Sequence, residues 1–355
     1  MIRRLGILIT GANGEIGHGL VTALSERISP KGIPSALSGQ EPSGEHLIGL
    51  DIEELDPAIK DYLWESVTGN ILDQTILDRL NSQYEFSAIY HLAALLSTRA
   101  EFSPATAHQV NVDGTLNLLS LAVDQARTQG RAVKFFFPSS IAVYGLAGLE
   151  EKNRVGAISE EQYLFPRTMY GCNKLYCEML GTYYARHYQQ LTAEAGTNRV
   201  DFRALRFPGL ISAVTAPSGG TSDYAPEMLH AAARGSPYDC FVREDTTMPF
   251  MTMPDAIRAT LKLMEAPRQS LTRLVYNASA FNPSAARLRE RVLADFPKAR
   301  IGFAVDQARQ DMVDSWPSDV DGTAARNDWG WQPQHDFEAA FAEYLIPGIL
   351  EQHGA

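Results

Sequence analysis

The sequence predicts an α/β fold, a doubly wound parallel sheet followed by a smaller C-terminal lobe. Two observations carry this expectation. Short apolar runs of strand type alternate with longer helix-patterned stretches over the first two thirds of the chain. That alternation implies right-handed crossovers and parallel pairing. The first run, Leu5 to Thr10, also opens into a glycine-rich turn that leads directly into a helical pattern.

The turn is Gly11-Ala12-Asn13-Gly14-Glu15-Ile16-Gly17, and Leu20, Val21 and Leu24 follow at helical spacing. Strand, glycine turn and helix form the context in which such a motif binds a dinucleotide. The glycines let backbone approach a diphosphate, and the helix start offers unpaired N–H groups. Gly11, Asn13, Gly14, Glu15 and Ile16 are therefore candidate cofactor residues in a Rossmann-type domain. His46-Leu47-Ile48-Gly49-Leu50-Asp51 reads as the second strand and ends in an acid. An acid there accepts hydrogen bonds from the adenosine ribose and repels a 2′-phosphate, so NAD is the expected cofactor, held by Asp51 with Ile52 beside it. The gap from Gly17 exceeds the usual twenty or so residues. Segment 30–45, rich in Ser, Gly and Pro, reads as an inserted surface loop.

Further strands are expected at 64–69, 88–91, 133–137 and 201–207, and helices at 74–82, 105–127 and 168–190. Pro138-Ser139-Ser140 lies at the carboxyl end of the 133–137 strand, the edge where open α/β sheets bind ligands. The last of these helices carries Tyr170-Gly171-Cys172-Asn173-Lys174. Residues four apart share a helix face, so a phenol and an ammonium point into one pocket. A phenol has a reference pKa of about 10, and ionising it near neutrality needs roughly 4 kcal/mol. A cation about 4 Å away at an effective dielectric near 20 supplies about that much. Tyr170 is thus a candidate base, Lys174 its activating cation, and Ser140 a hydroxyl able to hold a substrate oxygen beside it.

The chain has 355 residues, 45% of them hydrophobic, and a net charge of −11. This length accommodates a large α/β domain over 1–207 and a smaller, mostly substrate-binding lobe over 208–355, with some of the latter returning to the sheet. The acidic balance argues against nucleic acid and against an anionic membrane surface. No run reaches the eighteen or so apolar residues of a membrane span, and no signal peptide is evident. Three cysteines, Cys172, Cys177 and Cys240, form no framework of pairs and suit a reducing cytoplasm. The histidines show no metal-ligand spacing, so no metal site is expected.

With these residues in place, the chain resembles the extended short-chain dehydrogenase/reductases. Tyr90-His91-Leu92-Ala93-Ala94 is similar to the family's fourth-strand motif, and Asn111-Val112-Asp113-Gly114-Thr115 to its mid-helix motif. The resemblance implies that Leu92, Ala93 and Ala94 lie along the cofactor. It also implies that Asn111 is linked through water to Lys174, although a structurally satisfied buried Asn is an equal reading. Within that group the chain is closer to the short-chain-type L-threonine 3-dehydrogenases. The segments that carry this include Gly219-Gly220-Thr221-Ser222-Asp223 and Asp314-Ser315-Trp316-Pro317. The activity so implied is NAD-dependent oxidation of L-threonine at C3 to 2-amino-3-oxobutanoate. Ser140, Tyr170 and Lys174 would be catalytic, and a homodimer would form through two long helices. Ser97, Thr221 and Ser222 become candidates for the substrate carboxylate and ammonium, or else cap turns. Trp316 roofs the pocket or packs in the core.

The chain departs from that pattern at 30–45, 146–165 and 189–198, which are longer than expected. Asn70, next to Ile71, replaces an acid near the adenine. Two other activities fit the same motifs. One is a nucleotide-sugar epimerase or dehydratase that keeps NAD bound through turnover. The other is a non-catalytic NAD-sensing protein, a class that commonly lacks the Tyr/Lys pair.

Overall fold

The computed structural model describes residues 3–28, 44–192, 199–215 and 220–353. Most of segment 30–45 and of 189–198 therefore lies outside the described residues. Seven parallel strands form the main sheet: β1 (Arg4–Thr10), β2 (His46–Asp51), β3 (Glu65–Thr68), β4 (Tyr84–His91), β5 (Val133–Ser140), β6 (Val200–Phe207) and β7 (Val275–Asn277). Their order is β7-β6-β5-β4-β1-β2-β3. The order reverses between β1 and β4, which places a ligand crevice outside the carboxyl ends of those two strands.

Helices cover both faces. On one face Leu20, Val21 and Leu24 of α1 (Glu15–Ser25) pack with Ile257, Trp329 and Trp331. On the other, Leu77 and Leu80 of α2 (Gln74–Gln83), Leu118 and Ala122 of α3 (Gly114–Gln129) and Cys177 of α4 (Met169–Arg186) cover the aromatic ladder Phe135, Phe137 and Phe202. A further core around Tyr224, Met228, Phe250, Trp316 and Phe341 fills the C-terminal lobe.

Two elements differ from the sequence expectation. The single helix expected over 105–127 is three pieces, Pro104–His108, a π-turn at Gln109–Asp113, and α3, and a separate short helix, Ser97–Phe102, precedes them. Pro104 lacks an N–H and starts a new helix. The π-turn occurs where the Asn111 side chain turns to bond the Leu95 backbone. β5 runs three residues past its apolar core. Pro138 tolerates this because pairing with β4 ends at Phe136, so the missing N–H costs no ladder bond there.

Segment 146–165 is a strap between sheet and lobe. Leu146 N–H donates to the Ser315 carbonyl at 2.8 Å, and the buried Lys152 Nζ donates to the Val313 carbonyl at 2.8 Å. Ala157–Ile158 pairs in parallel with Asp319–Val320.

Candidate active site

The glycine turn forms a cradle of bare backbone. Gly11 has φ +70°, and a Cβ there would lie 2.6 Å from the Ala93 nitrogen. Any side chain at Gly11 would thus be strained and would close the β1/β4 crevice. Gly14 caps α1 without a side-chain bond, leaving that helix start open to an anion. These features fit a dinucleotide diphosphate. Glu15 faces the Ser212 and Thr215 hydroxyls. Burial pushes its carboxyl above the usual range, and the two hydroxyls pull the other way.

The carboxyl end of β2 is latched to the glycine turn by hydrogen bonds. Asn13 N–H donates to Asp51 Oδ2 at 2.9 Å, and Glu53 N–H to Asp51 Oδ1 at 3.3 Å. The Asn13 side chain donates to the Glu54 carbonyl and accepts from Asp56 N–H, each at 2.9 Å. Asp51 therefore anchors the glycine turn as well as offering an acceptor. Ile52 is 67% exposed beside it. Asn70 turns its side-chain oxygen to Leu72 N–H at 2.9 Å. Ile71 is buried, with its side chain close against Gly114.

The wall from Leu92 to Ala94 is held from beneath by a neutral histidine. His91 lies between the Thr10 and Thr115 hydroxyls at 2.9 and 3.0 Å. Thr115 spends its proton on the Asn111 carbonyl, 2.6 Å away. His91 Nε2 must therefore be the donor to Thr115, and Nδ1 accepts from Thr10. Burial, with Lys174 nearby, pushes His91 down to about 3. Asn111 is 3% exposed, and its amide is taken by the Leu95 backbone and by Asn173. These contacts satisfy the Asn111 side chain within the protein.

Tyr170 and Lys174 meet the carboxyl end of β5. Thr168 caps α4 by accepting from Gly171 N–H at 3.0 Å, and Glu101 accepts from Met169 N–H at 2.7 Å. A Cβ on Gly171 would lie 2.1 Å from the Ala142 carbonyl, so glycine lets α4 press against the turn that follows Ser140. Lys174 is 3% exposed. Its Nζ donates to the Pro138 carbonyl at 2.6 Å and lies 5.4 Å from the Tyr170 ring centre and 4.6 Å from that of Phe137. Burial pushes its ammonium down to about 8, while Cys177 and Glu178 pull the other way. Burial raises the Tyr170 phenol above its ordinary value. Desolvation therefore opposes the lowering expected from Lys174. Ser140 Oγ accepts from Ala142 N–H at 3.1 Å, which orients the hydroxyl and leaves its proton free to donate.

The candidate substrate residues are dispersed in sequence. Ser97 starts the short helix that reaches α4 through Glu101. Thr221 is 3% exposed, and Ser222 is partly buried ahead of the helix Tyr224–Ala233. Trp316 is 5% exposed and belongs to the lobe core, as the packing reading expects. Sequence reasoning missed the Thr10–His91–Thr115 bridge, the Glu101 cap and the buried partners of Ser139. The one advance signal was the serine pair at 139–140. Among the described residues no group of three or more His, Cys, Asp or Glu is placed to hold a metal ion, and no helix is long and apolar enough to cross a membrane.

Comparison with known proteins shows the family. Residues 7–279 match the NAD dependent epimerase/dehydratase family. A mitochondrial L-threonine 3-dehydrogenase of Bos taurus is 32% identical over 349 residues, covering 98% of this chain and 83% of that protein. The holo form of a GalE-like L-threonine dehydrogenase from Cupriavidus necator is 34% identical with TM-score 0.79, covering 96% of this chain and 99% of that one. A monomeric L-threonine 3-dehydrogenase from a metagenome has TM-score 0.80 and 34% identity, covering 98% and 99%. The chain belongs to the NAD dependent epimerase/dehydratase family and is an NAD-using oxidoreductase.

Proposed function

We propose that this protein oxidises L-threonine at C3 to 2-amino-3-oxobutanoate. The observation that carries the reading is the placement of Lys174 Nζ over the Tyr170 ring while it bonds Pro138, two residues before Ser140. The full-length similarity to L-threonine dehydrogenases supplies the substrate. Residues 1–207 would carry the cofactor and the reacting groups, and 208–355 most of the substrate wall. Gly11, Asn13, Gly14, Glu15 and Ile16 would hold the diphosphate, Asp51 the adenosine ribose, and Lys174 the nicotinamide ribose. Bound NAD supplies the hydride acceptor and a second positive charge beside the phenol. Ser140 holds the C3 hydroxyl, and Tyr170 takes its proton. Lys174, positioned by the Pro138 carbonyl, offsets the burial that keeps the phenol protonated. Ser97, Thr221 and Ser222 would receive the carboxylate and ammonium.

A substrate panel followed by NADH absorbance tests this. L-Threonine should exceed 3-hydroxybutyrate by several kcal/mol in kcat/KM, about 10⁴-fold, because buried polar partners of the ammonium would be left unpaired. L-Serine, lacking the methyl, should fall short by about 1–3 kcal/mol. No NADH from L-threonine, with turnover of a nucleotide sugar instead, would move the enzyme to the epimerase branch.

The exposed stripe Tyr176, Met179 and Tyr183 on α4, next to Leu116 on α3, supports a homodimer across these two helices. Sedimentation should read two chains, and Met179→Glu should return a monomer. A wild-type monomer, as described for the metagenomic relative, refutes this. Three free cysteines suit a reducing compartment such as the cytoplasm.

A further inference from the structure

Beneath the site lies a polar network that the reaction does not use. Ser139 Oγ donates to Glu178 Oε1 at 2.5 Å. Arg206 grips both oxygens of Glu178, through Nε at 2.8 Å and Nη2 at 2.6 Å. Arg206 Nη1 continues to the Tyr144 hydroxyl at 2.9 Å and the Glu160 carbonyl at 2.7 Å, and Tyr144 donates to Asn277 Oδ1 at 2.7 Å. Ser139, Glu178 and Arg206 are 2%, 3% and 2% exposed.

Three facts place this network in the service of the site. Ser139 is the chain neighbour of Ser140, and Glu178 lies one helical turn beyond Lys174 on α4. The bonds also join β5 and β6 to α4, the helix that carries Tyr170 and Lys174. A buried ion pair is moreover a poor device for stability alone, since apolar replacements are often neutral or better.

The groups around Lys174 can be enumerated. Its own helix presents Tyr170, Cys177 and Glu178. β4 presents His91, and β5 the Pro138 carbonyl and the Phe137 ring. β6 contributes Arg206 through Glu178. Burial raises the Cys177 thiol to about 11, and His91 is neutral. Glu178 is therefore the anion among these groups, and it is shared with Arg206.

We propose that Ser139, Glu178 and Arg206 are positioning residues: they lock α4 to β5 and β6 so that Tyr170 and Lys174 meet Ser140, and the Glu178 carboxylate, one turn from Lys174 and gripped by Arg206, is the counter-charge of the Lys174 ammonium. This rests on the reading of Ser140, Tyr170 and Lys174 given above.

The test is NADH affinity against pH, read by nicotinamide fluorescence, together with kcat and KM at saturating NAD. The binding arm needs no substrate. Wild-type affinity should weaken as pH rises through about 8, where Lys174 loses its proton. In Glu178→Gln an uncompensated Arg206 remains, so that midpoint should fall by about one pH unit. The loss should vanish well below the midpoint, and Glu178→Asp should restore the wild-type curve. Ser139→Ala keeps the charge pair and breaks the strand contact. It should lower kcat by about tenfold with the midpoint and the substrate KM unmoved. An unshifted midpoint in Glu178→Gln overturns the counter-charge. Should that variant fail to fold, an unchanged kcat in Ser139→Ala overturns the positioning role. Tyr170→Phe separates the two ideas: full activity there removes the base assignment, whereas an inactive Tyr170→Phe beside wild-type-like Ser139 and Glu178 variants removes this proposal alone.

Discussion

Tyr170→Phe is expected to lower the rate of L-threonine oxidation by about 10²–10⁴-fold, the usual contribution of a general base, while NAD binding is retained. The ring stays, so Lys174 keeps its aromatic neighbour and its bond to Pro138. Only the proton acceptor is lost. Lys174→Ala should differ in kind, slowing turnover and also weakening NADH binding, because that ammonium is proposed to serve both the phenol and the ribose. Stopped-flow hydride transfer with titrated NADH distinguishes the two variants. A Tyr170→Phe enzyme with most of its activity would remove the mechanism. The wild-type rate should rise with pH as the phenol ionises.

The second large effect belongs to Asp51. Its carboxylate accepts from Asn13 N–H and from Glu53 N–H, so it fixes the diphosphate turn in addition to its expected ribose contact. Asp51→Ala should weaken NAD binding by roughly 1.5–3 kcal/mol, the worth of a charge-assisted hydrogen bond, or about 10–100-fold. NADP should gain less than NAD loses, because the same change loosens the turn that either cofactor needs. The NAD preference narrows as a result. Comparing kcat/KM for NAD and NADP in both proteins checks this. A wild-type enzyme that prefers NADP contradicts the assignment.

What could be read in advance follows the range of the interactions. The strand before Gly11, the start of α1, the acid closing β2 and the Tyr170/Lys174 spacing are local patterns, and the glycine turn, Asp51 and Lys174 all lie at the carboxyl ends of strands in one parallel sheet. The broken helix over 105–127 was not legible. Its helical periodicity runs on through the π-turn, and the bond between Asn111 and Leu95 exists only after the chain folds back. The burial of the phenol was not legible for a related reason. Pairwise charge can be counted from spacing, whereas desolvation depends on everything packed around the ring. Glu178 and Arg206 are 28 residues apart in the chain, and only the packing of α4 on the sheet brings them together.

The strap from Leu146 onward has a consequence for how the polypeptide assembles. Lys152 and its acceptor at Val313 are 161 residues apart in the chain, and the Ala157–Ile158 ladder waits for Asp319 and Val320. On the ribosome, β1 to β5 can pair as they emerge. Arg206 can reach the Glu160 carbonyl of the strap earlier, but the bonds to Val313 and to Asp319 and Val320 cannot form until almost the whole chain is made. Contacts of such long sequence separation slow folding and prolong exposure of sticky surface. Nascent chains truncated before Val313 should therefore be protease-sensitive within 146–165, and release of the C-terminal segment should close that site in a late step.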